Sequence, residues 1–103
     1  MDGLNEIAID PHEMLRLRDM LDVAGVEYER GDGYIGDDSW RTYSADFKVV
    51  DDRCAAGFSC VLHQFSYGHQ DGLLELWAHG MEGPCGYLSA ENVMDRLRKA
   101  GMA

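Results

Sequence analysis

The first strongly periodic segment follows Asp10-Pro11-His12-Glu13, where an acid precedes a proline suited to the first helical position and a glutamate stands three residues after the acid. Met14, Leu15, Leu17, Leu21 and Ala24 then recur near helical spacing. Glu13, Arg16, Asp19 and Asp22 fall mainly outside that stripe, and Gly25 supplies a stop, so the pattern predicts a helix over 11–24. After Gly25 the period changes to alternation in Val26-Glu27-Tyr28-Glu29-Arg30, which reads as a strand with Val26 and Tyr28 on one face. Gly31-Asp32-Gly33 and Gly36-Asp37-Asp38-Ser39 are rich in turn residues and leave Tyr34-Ile35 as a short bridge between them. An extended stretch from Trp40 to Val50, a turn at Asp51-Asp52, a buried strand over 56–65, a loop from Tyr67 to Gly72 and a strand over 73–79 complete an antiparallel meander.

Gly80, Gly83, Pro84 and Gly86 interrupt regular structure before Ser89, a good cap for a final helix over 90–100. Val93, Met94 and Leu97 form its apolar side, Arg96, Arg98 and Lys99 suit the negative end of its dipole, and Gly101 follows as a stop. The pattern predicts one α+β domain over 1–103. Its sheet has three or four antiparallel strands, flanked by N- and C-terminal helices in α-β-β-β-α order, with both helices on one face.

Composition narrows the function classes. A chain of 103 residues, 46% hydrophobic, supports one modest core rather than an enzyme with its own cofactor domain. It has no apolar run long enough to span a bilayer, and Met1 to Glu6 lacks the basic and apolar regions of a signal peptide, which points to the cytoplasm. Nine Lys and Arg against 19 Asp and Glu give a formal charge of −10. That excess repels nucleic-acid phosphates and anionic lipid alike, so neither direct nucleic-acid binding nor membrane binding is expected. Basic protein surfaces remain as natural partners. The acids cluster in the first half: between Glu27 and Asp52 stand eight acids and three cations. The bland reading of such charges is a solvated surface.

Candidate chemistry is sparse. Cys54, Cys60 and Cys85 are odd in number and read as free thiols. With His63, His69 and His79 they supply zinc-compatible ligand types, but without a CxxC pair or a standard ligand spacing, and in a strand Cys60 and His63 point to opposite faces. A nucleophilic pair of Cys60 or Cys85 with His63 or His79 has no supporting motif. Asp37/Asp38 and Asp51/Asp52 read as turn acids, and the glycines form neither GxGxxG nor a Walker loop. No catalytic residue, metal ligand or cofactor is assigned, and a non-enzymatic protein is expected. Tyr34, Trp40, Tyr43, Tyr67 and Trp77 are of the types that anchor interfaces, with Trp77 assigned to the core.

Two stretches, Ser66-Tyr67-Gly68-His69-Gln70-Asp71-Gly72-Leu73-Leu74-Glu75-Leu76 and Gly86-Tyr87-Leu88-Ser89-Ala90-Glu91-Asn92-Val93-Met94-Asp95-Arg96-Leu97, resemble small acidic proteins encoded by bacteriophages and prophages. The resemblance carries no catalytic motif. It implies an inhibitor of a host nucleic-acid-handling defence complex, of the anti-CRISPR type, acting in the bacterial cytoplasm as a DNA mimic. Its physical counterpart is that carboxylates at alternate strand positions, such as Glu27 and Glu29, recur about every 6.6–6.8 Å, near two duplex rises of ~3.4 Å per strand. The expected partner-binding residues are Glu27, Glu29, Asp32, Asp37 and Asp38, with Tyr34 and Trp40 as anchors, against a basic surface of a host protein or ribonucleoprotein. The alternative is a small structural or regulatory interaction protein without a defence target, homodimeric through an exposed sheet face or edge.

Overall fold

The structure is a computed structural model that describes residues 8–103. Asp2, Glu6 and the signal-peptide reading of Met1 to Glu6 lie outside the described residues. The observed order is α1 (His12–Ala24), β1 (Glu29–Arg30), β2 (Trp40–Tyr43), β3 (Lys48–Val50), β4 (Arg53–Ala56), β5 (Phe58–Leu62), β6 (Leu74–Ala78), β7 (Cys85–Leu88) and α2 (Ala90–Lys99), with a short 3-10 turn at His69–Asp71. The α+β class and the terminal placement of the helices agree with the sequence pattern. The strand count and order do not. Five antiparallel strands form one sheet in the order β1-β2-β5-β6-β7, and β3 and β4 form a separate two-stranded arm.

Each discrepancy has a local cause. The 26–30 strand shrinks to Glu29–Arg30 because its partner ends where Glu29 faces Tyr43. Val26 and Tyr28 still pack against the core, so the alternation is real while the ladder is short. The single stretch expected over 40–50 breaks after Tyr43, where the Phe47 N–H bonds back to the Ser44 carbonyl at 3.1 Å and the Phe58 N–H donates to Ser44 Oγ at 2.9 Å. Lys48–Val50 then pairs with Arg53–Ala56 across Asp51-Asp52, both at positive φ (49° and 62°), the conformation of a two-residue hairpin turn that aspartate tolerates. The chain re-enters the main sheet at Gly57, whose φ of +67° and lack of a side chain are both required: a Cβ there would lie 2.9 Å from the Phe47 backbone nitrogen. The expected break before Ser89 holds a seventh strand, bulged where Gly86 and Tyr87 oppose Glu75.

Period two divides the sheet. Thr42, Phe58, Cys60, Leu62, Leu74, Leu76 and Ala78 are buried toward the helices. Helix α2 covers them with Ala90, Val93, Met94 and Leu97, the i, i+3, i+4, i+7 stripe, and a capping box formed by Ser89 and Asn92 starts it as expected. Helix α1 ends on Gly25 in the left-handed region, also as expected. Its stripe differs, because Met14, Leu17, Arg18 and Leu21 are buried while Leu15 and Ala24 are exposed. Its start differs too. Asp10 accepts the His12 N–H, whereas Glu13 accepts the Ala90 N–H of α2 at 2.8 Å and, within its own helix, the Arg16 guanidinium at 3.0 Å. Arg16 reaches on to Glu91 at 2.7 Å. A carboxylate at the positive end of α2 therefore joins the helices.

Arg18 is the deepest charge, 3% exposed. Its Nε donates to Thr42 Oγ1 at 2.8 Å, its two terminal nitrogens form a fork on the Asp32 carboxylate, and Nη2 also reaches the Arg41 carbonyl at 3.2 Å. Thr42 in turn donates to Met14 Sδ at 3.1 Å. Partial burial pushes the Asp32 carboxyl up, but the Arg18 hydrogen bonds and charge, with the Arg41 backbone, outweigh it and hold the group below the usual carboxylate range. Asp32→Asn is expected to lower stability at pH 7 by about 1 kcal/mol, less than a fully buried hydrogen bond to a charged group because the Asp32 side chain is 40% exposed and screened by solvent. Because the folded-state pKa is depressed, this contribution is complete above the unfolded-state value of about 3.9. It disappears as pH falls through the lower folded-state value, so thermal melts of the two proteins should converge in strong acid and stay apart at neutral pH.

Candidate functional site

Two surfaces stand out, and they share the loop between β1 and β2. The first is acidic. Glu27 lies just before β1, Glu29 within it, and Asp37 and Asp38 in the 31–39 loop; all four are exposed, and among the described residues none has a cationic side chain within 4 Å. Tyr34 projects from the same loop, 76% exposed. The other two expected partner residues are less free, although Trp40 lines a cleft together with Tyr34. Asp32 is the counter-ion of Arg18, so its charge is engaged within the fold. Trp40 is half-buried, pairs with Leu62 on the helix side and packs against the core. The two-residue carboxylate repeat also fails at Glu27, which has no place in the ladder.

The second surface is the face of the sheet opposite the helices. Arg41, Val61 and Glu75 form one cross-strand row there, and Tyr43, Ser59 and Trp77 the next. Over them lies a cleft of about 420 Å³, walled by Val49 of the β3–β4 arm and Phe47 just before it, and by Tyr34 and Ile35 of the 31–39 loop. Phe47 meets Trp77 edge to face at 6.3 Å between centroids. Trp77 therefore belongs to the open face, not to the helix-side core, as its alternation with Leu76 and Ala78 requires. Its indole nitrogen is buried with no hydrogen-bond partner among the described residues. The Arg41 guanidinium lies 4.1 Å above the Tyr43 ring and 5.8 Å from that of Phe47, and its Nε donates to Ser59 Oγ at 3.0 Å. At the opposite wall Glu75 accepts the Tyr67 N–H at 2.7 Å.

The fold brings the stretches 66–76 and 86–97 together near this cleft. The Tyr87 N–H bonds to the Tyr67 carbonyl at 3.3 Å, and a side chain on Gly86 would strike Tyr67. Phe65, Tyr67 and Tyr87 are all largely exposed there, Tyr87 with φ of +60°, a conformation rare for a bulky residue. Ser66, by contrast, is buried and locks the loop, accepting the His63 N–H and donating to the His63 carbonyl.

The thiol and histidine candidates divide across the sheet. Cys60 is fully buried against the helices, and burial pushes its thiol far up, away from the reactive thiolate. Burial raises Cys54 as well. His63 borders the cleft on the other face, where burial pulls its pKa down against the opposing pull of Glu75, and its Nδ1 accepts the Phe65 N–H at 3.1 Å. The side-chain hydrogen bonds of His63 and Glu75 thus go to backbone groups, and no nucleophile–base contact occurs among the described residues. Nor do three His, Cys, Asp or Glu side chains cluster as a metal site among them. No helix among them is long and apolar enough to cross a membrane. The sequence pattern did not single out Arg41, Ser59, Val61 or Phe47; the polar and aromatic residues alternating with Cys60, Leu62, Leu74 and Leu76 were the available signal for a second, uncovered face.

No family model, curated protein or solved structure matches this chain. In native buffer a small alkylating reagent is expected to modify Cys85, which is half-buried, well before Cys54 and Cys60. Intact-mass measurement should show one adduct at early times and three only after denaturant is added.

Proposed function

We propose that this chain is a non-enzymatic binding protein whose acidic edge docks on a basic surface of a host nucleic-acid-handling defence complex, a CRISPR effector foremost, in the manner of small acidic phage and prophage proteins. The observation that carries the reading is the set Glu27, Glu29, Asp37 and Asp38, exposed and without ion-pair partners among the described residues, in the segment that also carries an exposed Tyr34. Unpaired surface carboxylates steer association with a cationic groove, and an exposed aromatic side chain in the same segment supplies the contact that outlasts the encounter. Mimicry of nucleic acid here rests on charge density, since the strand-spaced register is absent. Asp32 takes part through Arg18, by holding the loop that carries Tyr34, Asp37 and Asp38.

The second reading, a homodimeric interaction protein, is favoured by the exposed apolar residues Val49, Val50, Phe65, Tyr67 and Tyr87. Light scattering separates it, because it requires a stable dimer without any added partner.

The test of the leading reading is affinity capture from nuclease-treated host lysate, washed at low and then high salt. A basic nucleic-acid-binding complex should be retained at low salt and lost at high salt. Reversing Glu27, Glu29, Asp37 and Asp38 to lysine should abolish its recovery while circular dichroism stays unchanged; unchanged capture by that variant, or recovery of the bait alone, would reject the proposal.

A further inference from the structure

The open sheet face holds a feature that neither the acidic edge nor the aromatic rim explains. Arg16, Arg18 and Arg41 are the arginines that are buried or half-buried. Arg16 faces Glu13 and Glu91, and Arg18 faces Asp32. Arg41 faces no carboxylate within 4 Å among the described residues, in a chain with 19 acids. Its guanidinium is nevertheless held in place, by Ser59 Oγ on Nε and by the Tyr43 and Phe47 rings. The two terminal nitrogens, the pair that recognises a carboxylate in a planar fork, have no acceptor among the described residues.

From Arg41 the cleft runs over Val61 toward Trp77, with Phe47, Val49 and Ile35 above. Its volume of about 420 Å³ falls in the range of small-molecule sites, roughly 300–1,000 Å³. Charge fixes the orientation of an occupant. Glu75 stands in the same cross-strand row as Arg41 with Val61 between them, so their backbones lie two strand spacings, about 9.5 Å, apart. An anionic head is attracted at the Arg41 wall and repelled at the Glu75 wall, which leaves the apolar floor for an uncharged body.

We propose that the cleft on the open sheet face is a binding site for a small monocarboxylate with an apolar or aromatic body, its carboxylate on the Arg41 fork and its body over Val61 and Trp77. The site does not depend on the acidic-edge reading, and either can fail without the other.

The probes are 4-phenylbutyrate and its neutral amide, titrated into the 15N-labelled protein and followed by two-dimensional NMR. At the ligand efficiency typical of drug-sized molecules, a probe of this size is expected to bind with a dissociation constant on the order of 1 mM. The acid should shift the Arg41 side-chain N–H, the Ser59 and Val61 amides and the Trp77 indole N–H, and the amide should bind about tenfold more weakly, the loss of one charge-assisted fork. Arg41→Gln should remove the preference for acid over amide. Glu75→Gln, which keeps an acceptor for the Tyr67 N–H, should bind the acid at least as well as the native protein. No shifts at about ten times the expected dissociation constant, equal binding of acid and amide, or an undiminished preference in the Arg41→Gln protein would each overturn the proposal. If the Arg41→Gln protein does not fold, the acid-to-amide ratio on the native protein and the response of its Arg41 N–H decide the matter. A light-scattering dimer whose interface shields the same resonances and admits neither probe would also overturn it.

Discussion

A guanidinium enclosed between a helix and a sheet must find acceptors for its N–H groups and a counter-charge, and Arg18 organises its surroundings around that demand. It takes a hydroxyl from β2, a carboxylate from the 31–39 loop and a carbonyl from Arg41. Each partner does something else as well. Thr42 passes the contact back to α1 through Met14; Asp32 ties down the loop bearing Tyr34, Asp37 and Asp38; Arg41 offers its carbonyl to Arg18 while its side chain stands on the opposite face of the sheet. One buried charge thus sets the positions of the acidic loop and of a wall of the cleft.

The helices close the other side by a different device. Glu13 caps α2 from α1 and shares Arg16 with Glu91, so the two helices are fastened at one end by groups 77 residues apart in the chain. With both helices on one face, the remaining face is left to the β3–β4 arm, whose short strands cover only part of it. The cleft is what that partial cover leaves open.

Much of this was legible from period and punctuation. Ser89, Gly25 and Gly101 mark helix ends because their roles are local, set by a few backbone groups, and the Asp51-Asp52 turn is local in the same way. The arm was hidden because Trp40 to Val50 has the composition of one strand, and the break at Ser44 depends on Phe58, fourteen residues away. β7 was hidden behind Gly83, Pro84 and Gly86, residues that suit a bulged strand as well as a loop. Asp32 looks like any other loop acid until Arg18 is seen on the buried stripe of α1. Its position four residues after Met14 and three before Leu21 was the available clue, since an arginine there needs an acid from elsewhere. Arg41, with two aromatic neighbours in sequence or space and no acid, gives no such warning.

The two outer strands of the main sheet have a consequence for how any partner can approach. β1 offers only two residues, one of them an acid, and is followed at once by Gly31; β7 is interrupted by Gly86 and by Tyr87 in a left-handed conformation. Neither presents the straight row of free N–H and C=O groups that lets a peptide, or a second sheet, continue the ladder. Recognition by strand addition is therefore disfavoured on both flanks, and so is the open-ended stacking of sheets that leads to fibres. At these two edges, a partner is met through side chains.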